Sequence, residues 1–461
     1  MRSLGLDRLR RVAGPRLGGI LGDRDNAAMA AASLAGFAIR AAGVVLMTVV
    51  TVLFTRLMGP AEYGRLAFLL SGSFIVVLFV GLGLPTASSR LVPRYLARGH
   101  EAAAAHYVAF GLVAVGTAAA LGGAAFAGLI GAFPAAFSDY QFPPAGVVGL
   151  VVTIALMRFV SEASRPLGLN LTGFVAESIA VRGILLAALL LYLATGATLA
   201  AGAALAIYVG AQGVVVLGVL VLMLRRIPPV AAALRRRRTR LYRAWLGISL
   251  VMLVTPVYYF LLFETDIVAL GILSGPYEVG LYQVARRLAE LTVFCAAAAS
   301  SVGLPRLARA HAERRADRLQ ATIDIMNLVN VGSTGAIVVG LVAVGTFALR
   351  LFGPDFAAGL PMLLVLAFGR LAMVLLGPVS DLLLMTGHHR RLGRVNLAFA
   401  VLNLVLNLVL IPPLGAVGAA IATSTAALSW NAWLYLLARR LTPVDTCILR
   451  HLWHKRRAAA A

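Results

Sequence analysis

The chain has 461 residues, 61% of them hydrophobic, and a mean hydropathy of +0.91, which exceeds what a soluble fold needs because globular proteins are close to half apolar. Its formal net charge of +23 would suit a nucleic-acid-binding protein only if the basic residues formed one aqueous face. They are scattered over short segments between apolar stretches, so we predict a membrane protein and no nucleic-acid partner.

Twelve apolar stretches follow one another along the chain, and each is long enough to cross a bilayer as a helix. The predicted spans are 28–55, 64–84, 106–131, 145–164, 176–196, 201–224, 246–265, 279–303, 328–349, 361–385, 395–411 and 416–437. The first stretch is too long for a signal peptide, so we expect the basic leader, 1–27, to be retained as a tail.

Arginine falls almost entirely on alternate connections between these spans. The leader and the segments after every second span hold most of it, with eight arginines within 225–243 and five within 306–318. The other connections carry only Arg56, Arg65 and Arg350. The positive-inside rule therefore predicts that both termini are cytoplasmic. The bias towards arginine and alanine indicates a bacterial source, and hence the bacterial cytoplasmic (inner) membrane.

A six-residue motif, G-P-x-E-x-G, occurs after the first span as Gly59–Gly64 and after the seventh as Gly275–Gly280, an offset of 275 − 59 = 216. Pro93–Arg98 resembles Pro305–Arg309 at a similar offset of 305 − 93 = 212. Six spans per half is an even number, so the two halves share one orientation, as in transporters with parallel repeats.

We therefore predict an all-α, polytopic protein of about 12 transmembrane helices in two six-helix lobes. Its predicted segments are the tail 1–27, an N-lobe 28–224, an arginine-rich cytoplasmic linker 225–245, a C-lobe 246–438 and a basic cytoplasmic tail 439–461. The G-P-x-E-x-G motif suits a tight helix connection, because Gly allows an unusual helix end, Pro stops the preceding helix and Glu favours the next helix's N-terminus. Gly353-Pro354 has the same explanation.

Several short stretches together resemble polysaccharide-export flippases of the multidrug/oligosaccharidyl-lipid/polysaccharide exporter superfamily. They are 57–64 (LMGPAEYG), 81–86 (GLGLPT), Asp266 with 275–282 (GPYEVGLY), 351–356 (LFGPDF), 403–407 (NLVLN) and 412–420 (PPLGAVGAA). The resemblance covers about residues 30–438. It implies a carrier that turns undecaprenyl-pyrophosphate-linked glycans from the inner to the outer leaflet by alternating access. The partners it implies are the bilayer, the lipid-linked glycan and a polysaccharide polymerase or export machinery.

Charged residues inside spans are candidates for the site, since an arginine at bilayer depth costs about 2.5–3.5 kcal/mol on insertion scales. We assign pyrophosphate binding to five of them: Arg40, Arg158, Arg286, Arg287 and Arg370. Arg158 and Arg286 each have a Glu four residues on, so intrahelical pairing is their alternative. The other three are expected to be free. Guanidinium groups donate paired hydrogen bonds to phosphate oxygens, which suits the substrate that the resemblance implies.

Asn396, Asn403 and Asn407 lie within roughly 40° of one another on the eleventh span, because they stand at i, i+7 and i+11. They are candidates for lining a sugar path, and interhelical hydrogen bonding is the alternative. Pro256 and Gly377-Pro378 predict kinks that could act as hinges.

Glu264 and Asp266 are candidates for a coupling ion, with a solvated helix end as the alternative. The cation-coupled drug exporters of the superfamily typically carry an acidic residue in the first helix, and 28–55 has none, which argues against drug antiport. We expect no cofactor and no metal, because Cys295 and Cys447 have no metal-ligand spacing around them.

A membrane glycan polymerase or transferase is the alternative from another class. Such an enzyme needs a catalytic loop or a base near the outer face, but the longest predicted outer loop is only about 132–144 and all seven histidines fall in predicted cytoplasmic segments. We predict a carrier and not an enzyme.

Overall fold

The computed structural model describes residues 24–226, 239–253 and 264–448, and within these ranges the chain forms helices and no strand. The helices of six residues or more are α1 (Arg24–Val80), α2 (Leu84–Leu96), α3 (Glu101–Ala132), α4 (Pro144–Ser164), α5 (Asn170–Val175), α6 (Val181–Leu193), α7 (Ala201–Arg226), α8 (Thr239–Met252), α9 (Thr265–Ser274), α10 (Pro276–Ala289), α11 (Leu291–Ala312), α12 (Ala316–Arg350), α13 (Leu360–Leu375), α14 (Val379–Met385) and α15 (His389–Leu441). A π-helical turn, Ala176–Ala180, joins α5 to α6.

The helices follow the predicted spans closely. Eight helices in the described part are long and apolar enough to cross a membrane, and two of these, α1 and α15, each contain two predicted spans. Gly59 interrupts α1 and Gly415 interrupts α15, each with a positive φ. The prediction of an all-α, multi-pass membrane protein is confirmed.

Helices α2, α5 and most of α9 lie where we predicted only connections. The arginine-rich segment after the second span forms α2, whose buried side chains include Leu84, Leu91 and Val92, while Arg90 and Arg94 are exposed. Apolar residues recur at intervals of three and four along it, so one face packs on the protein and the charged face does not.

The seventh predicted span, 246–265, coincides with α8 as far as Met252, and α9 begins only at its last residue, Thr265. Residues 254–263, which include Pro256, lie outside the described part. Trp245 of α8 donates from Nε1 to the Tyr95 hydroxyl at 2.8 Å and packs edge-on against the Tyr107 ring. The first part of the seventh span thus packs on the N-terminal half, while α9 packs against α15. The predicted lobe boundary near residue 245 stays a prediction, and most of the linker falls in 227–238, outside the described part.

The repeated motif has the same conformation in both halves. Gly59 (φ 72°, ψ 175°) and Gly275 (φ 87°, ψ 176°) occupy a backbone region that is essentially restricted to glycine. The motif glutamates do more than occupy the first helical turn, as predicted, because each also accepts a remote hydrogen bond. Glu62 Oε2 accepts one from Ala201 N at 2.8 Å, and Glu278 Oε2 accepts one from Ala416 N at 2.9 Å. Each Glu therefore caps the last helix of its own half.

The two halves meet at one end of the molecule, which we call the Gly-Pro end because the three Gly-Pro turns lie there. A Cβ added to Gly64 would lie 1.8 Å from Pro276 O, and one added to Gly280 would lie 2.0 Å from Pro60 O. The helices that follow the two motifs therefore cross at backbone contact, which only a residue without a side chain permits.

The buried apolar side chains form two main clusters. The larger cluster draws on both halves and includes Phe68, Leu150, Tyr282 and Phe356. The smaller cluster lies near the arginine-rich connections of the C-terminal half, and in the described part it holds only residues of that half, such as Leu319 and Leu383. The halves thus share a core that reaches the Gly-Pro end, while at the opposite, arginine-rich end α8 packs on α2 and the smaller cluster holds residues of the C-terminal half alone in the described part.

Candidate functional site

Arg286 of α10 stands among three carboxylates. Its guanidinium nitrogens lie 3.4 Å from Glu264 Oε1, 3.5 Å from Asp266 Oδ1 and 3.5 Å from Glu290 Oε1. Its side chain is only 14% exposed, so these contacts offset the cost of burying its charge. The alternative of intrahelical pairing with Glu290 is therefore correct for Arg286, and two further carboxylates add to it.

Asp266 is buried, and its carboxylate oxygens accept several hydrogen bonds. Tyr282 donates its hydroxyl to Oδ2 at 2.6 Å, and the backbone N–H of Ile267 donates to Oδ1 at 2.9 Å. Glu264 accepts a hydrogen bond from Ser71 Oγ of α1 at 2.8 Å, which ties the two halves together. The alternative of a solvated helix end is wrong for Asp266, which is 1% exposed. An ion-coupling role for either carboxylate stays a prediction.

Arg287 is not free, which corrects our expectation. Its Nη1 lies 3.3 Å from Glu290 Oε2, three residues further on, so that Glu290 serves both Arg286 and Arg287. Arg370 of α13 is partly buried, and its charge interacts with those of Glu290 and Arg286. Within the described part of the chain, its guanidinium makes no hydrogen bond or ion pair.

A fourth arginine, Arg182 of α6, was missed by the sequence analysis although it lies inside the fifth predicted span. Its Nη1 donates to Ser178 O at 2.7 Å, within the π-helical turn, and a Cβ at Gly43 would lie 2.8 Å from the same nitrogen. Its charge interacts with that of Arg287 in the other half. A single Arg in a span whose other charged residue, Glu177, stands five positions earlier was the signal that could have found it.

We name these residues the central cluster. Its members are Arg182, Glu264, Asp266, Arg286, Arg287, Glu290 and Arg370. The charge of Arg182 also interacts with that of the exposed Glu177, so with this carboxylate the four guanidinium groups are accompanied by four carboxylates. Positive charge contributed from both halves at a shared, largely apolar interface can bind an anion strongly, because low polarity strengthens charge attraction.

Of the two remaining predicted arginines, Arg158 lies apart from the central cluster and the side chain of Arg40 is outside the described residues. Arg158 is exposed and lines a recess with Gly83 and Leu253, at the end of the second span away from the Gly-Pro turn. The alternative of pairing with Glu162 is not seen, since in the described part Arg158 lies beyond ion-pair distance of Glu162, which pairs with Arg165 at 2.8 Å. The side chain of Arg40 lies outside the described residues, so its assignment stays a prediction.

The asparagine stripe divides into different environments. Asn396 Oδ1 accepts a hydrogen bond from Trp430 Nε1 at 2.8 Å, as the alternative of side-chain hydrogen bonding expected. Asn407 donates to the backbone carbonyl of Asn403 at 2.9 Å, and the buried amide of Asn403 has no hydrogen-bond partner in the described part. A sugar path along these residues stays a prediction.

Over the described ranges, no three His, Cys, Asp or Glu side chains are grouped as a metal site requires. The fold and the central cluster define a multi-pass membrane protein of two helical halves with arginines and carboxylates gathered between them. Residues 34–311 match the family described as polysaccharide biosynthesis protein, and residues 252–409 match the MatE family. The first match covers more than half of the chain, which therefore belongs to the polysaccharide biosynthesis protein family.

The chain is 32% identical over 164 residues to the probable flippase AglR of Haloferax volcanii. That alignment covers 34% of each protein, so the chain matches about a third of the length of this curated relative.

Two solved structures share the fold at 15% identity. One is an inward-facing multidrug resistance MATE family transporter of the MOP superfamily (TM-score 0.66, covering 86% of this chain and 94% of that one). The other is the lipid II flippase MurJ in an inward closed conformation (TM-score 0.68, covering 88% and 87%). The predictions of two six-helix lobes and of a polysaccharide-export flippase relative are confirmed at the level of fold and family.

Proposed function

We propose that the protein is a flippase, and not an enzyme, that moves an anionic lipid-linked glycan across the membrane by alternating access. The substrate would be an undecaprenyl-pyrophosphate-linked oligosaccharide, a precursor of a surface polysaccharide. The observation that carries the proposal is the central cluster, in which arginines of both halves come together in a polysaccharide biosynthesis family member and two of them, Arg182 and Arg370, make no ion pair in the described part. The similarity to AglR, a probable flippase, and to MurJ, a lipid II flippase, supports it.

The arginines of the cluster have different roles in this proposal. Arg286 is held by three carboxylates and orders the site, whereas Arg182 and Arg370 make no contact with a carboxylate in the described part of the chain. Two such guanidinium groups suit a diphosphate, since each donates a charge-assisted hydrogen bond to phosphate oxygens. The neutral sugars would follow the diphosphate, and the prenyl chain would stay in lipid.

The smaller apolar cluster, which in the described part holds residues of the C-terminal half alone, supports entry of the headgroup at the arginine-rich end, which the positive-inside rule places in the cytoplasm. In this orientation both termini are cytoplasmic and the Gly-Pro end faces outward. We place the protein in a bacterial cytoplasmic membrane, with a polysaccharide polymerase as a possible neighbour. Rocking of the halves about the shared core would then open the Gly-Pro end.

The test is the sidedness of prenyl-pyrophosphate glycans in cells that lack the protein. We expect these glycans to accumulate on the cytoplasmic face, and the wild type to restore their export. The variant Arg182→Gln with Arg370→Gln should fail to restore it, whereas Arg309→Gln, at an arginine that is 82% exposed, should restore it fully. Equal rescue by both variants would remove the cluster from the mechanism.

A cation-coupled multidrug antiporter is the second candidate. The observations that favour it are the match of residues 252–409 to the MatE family and the buried Asp266, which a cation could displace from Arg286. Loss of cationic-dye efflux from the same depleted cells, without accumulation of a lipid-linked glycan, would support this candidate over the flippase.

A further inference from the structure

A cleft of about 410 Å³ opens at the Gly-Pro end between the two halves. This volume falls within the roughly 300–1,000 Å³ typical of ligand pockets. Arg56, Pro60, Arg350 and Asp355 are among the residues that line it. The predicted outward-facing connections hold only three arginines in the whole sequence, and two of them share this one cleft.

The two arginines come from opposite halves. Arg56 of α1 donates from Nε to the carbonyl of Leu351 at 2.7 Å, so it already crosses between the halves. Arg350 ends α12, and within the described part its guanidinium has no hydrogen-bond or ion-pair partner. Asp355 is the carboxylate lining the cleft, and it lies farther than ion-pair distance from both arginines in the described structure. The lining therefore carries a formal charge of 2 − 1 = +1.

We propose that this cleft is a second anion site, which binds a phosphate group and thereby holds the Gly-Pro ends of the two halves together. A phosphate that contacts Arg56 and Arg350 at once accepts charge-assisted hydrogen bonds from both halves. The cleft exists only while the halves are in contact, so its ligand binds the closed arrangement and shifts the equilibrium towards it.

The phosphate has two sources, namely the headgroup of an anionic phospholipid in the outer leaflet and a free phosphate or diphosphate in solution. Both present the same oxygens to the arginines, so the chemistry of the site is the same. The proposal does not depend on glycan transport, and its test below fails or succeeds independently of the flippase assay.

The test uses the full chain in phosphatidylcholine nanodiscs with one bimane label at Ala358→Cys, while Cys295→Ala and Cys447→Ser remove the native thiols. Ala358 is exposed and lies close in sequence to the cleft residues Asp355 and Phe356. Inorganic pyrophosphate is titrated against the bimane emission. A second series replaces part of the phosphatidylcholine with phosphatidylglycerol.

We expect a saturable emission change whose apparent dissociation constant rises about tenfold or more in Arg56→Gln with Arg350→Gln, because two charged hydrogen-bond donors are lost. The control removes the same charge at exposed sites of the other end, Arg309→Gln with Arg318→Gln, and should leave the titration unchanged. Arg182→Gln should also leave it unchanged, which separates the cleft from the central cluster.

A response to phosphatidylglycerol alone would support the site and identify the lipid headgroup as its ligand. The proposal is overturned if neither anion changes the emission. It is also overturned if the response persists in Arg56→Gln with Arg350→Gln, or if it is lost in Arg182→Gln.

Discussion

At the scale of single residues, the central feature is the sharing of carboxylates around Arg286. Three carboxylates surround this side chain, and one of them, Asp266, is buried with a tyrosine hydroxyl and a backbone N–H also bound to it. Removing a buried cation leaves buried anions without compensation, which costs far more than the ion pair contributes over a neutral alternative.

We therefore expect Arg286→Gln to destabilise the protein by about 3 kcal/mol, at the lower end for a broken buried pair because Asp266 keeps its other hydrogen bonds. Arg370→Gln, which breaks no contact in the described part, should have little effect or raise the melting temperature slightly. Thermal unfolding of purified variants in detergent measures both. Equal melting temperatures for the two variants would contradict the assigned pairing.

The motif glutamates give a second prediction at this scale. Glu278 accepts a hydrogen bond from the Ala416 backbone at the start of the second arm of α15. Loss of a helix cap costs about 0.5–2 kcal/mol, so Glu278→Ala should lower stability by that amount, and Glu278→Gln should lose less because its amide oxygen still accepts. Thermal unfolding checks this order, and the reverse order would exclude the cap.

At the scale of elements, the two helices that follow the repeated motif cross where Gly64 and Gly280 meet the opposite backbone. A methyl group at Gly64 overlaps Pro276 O, which belongs to backbone and cannot rotate away. Close packing makes such an overlap force the helices apart.

Gly64→Ala should therefore separate the halves at the Gly-Pro end. Spin labels at the exposed positions Ala197→Cys and Ala358→Cys, in a background without native cysteines, report the distance across that end. We expect a longer distance in Gly64→Ala and an unchanged one in Gly213→Ala, where a Cβ meets nothing within 4 Å. An unchanged distance in Gly64→Ala would show that the crossing adapts without opening.

The segment after α15, which contains Asp445 and Thr446, is held on the protein by specific hydrogen bonds. Thr446 is buried, its carbonyl accepts a hydrogen bond from Asn327 at 2.7 Å, and its hydroxyl donates to Leu376 O at 2.9 Å. Gln320 makes two hydrogen bonds with the Asp445 backbone, at 2.8 and 2.9 Å. The segment is thus fixed against the break between α13 and α14.

Gln320→Ala should remove two hydrogen bonds that hold this segment and thereby increase the rate at which a maleimide labels Cys447, which is partly exposed in the structure. Gln141→Ala, at the other end of the molecule, is the matched control and should not change the rate. The labelling rate of detergent-solubilised protein with Cys295→Ala isolates the Cys447 signal. Equal rates in all three proteins would show that the segment is not held by Gln320.

At the scale of the whole molecule, the halves share the larger core, and the smaller cluster at the arginine-rich end holds residues of the C-terminal half alone in the described part. If the central cluster binds the diphosphate, undecaprenyl pyrophosphate should draw the arginine-rich ends together. Labels at the exposed positions Gly99→Cys and Arg314→Cys measure that distance by spin–spin coupling. We expect it to shorten with undecaprenyl pyrophosphate and to stay unchanged with undecaprenol, which lacks the charged group; shortening by both lipids would exclude charge recognition.

The predictions from sequence succeeded where local physics decides the outcome. The length of the apolar stretches predicted the membrane spans, and the Gly-Pro pairs predicted where helices are interrupted. Both depend on residues that are neighbours in the sequence. The predictions failed where the contact partner of a residue is far away in the sequence or is shared by two residues. Nothing local indicates that Glu62 caps a helix 139 residues away, or that Trp245 packs on the N-terminal half. Arg287 was expected to be free, yet it shares Glu290 with Arg286.

The sequence by itself therefore determined that the chain is an all-helical membrane protein with an internal repeat, because hydropathy and motif spacing are properties of the chain order. Only the tertiary structure decided which charges meet. It brought Arg182 towards Arg287 from the other half and placed Arg158 apart from both. Charges on different helices interact according to how the helices pack, and packing brings together residues that the chain order keeps far apart.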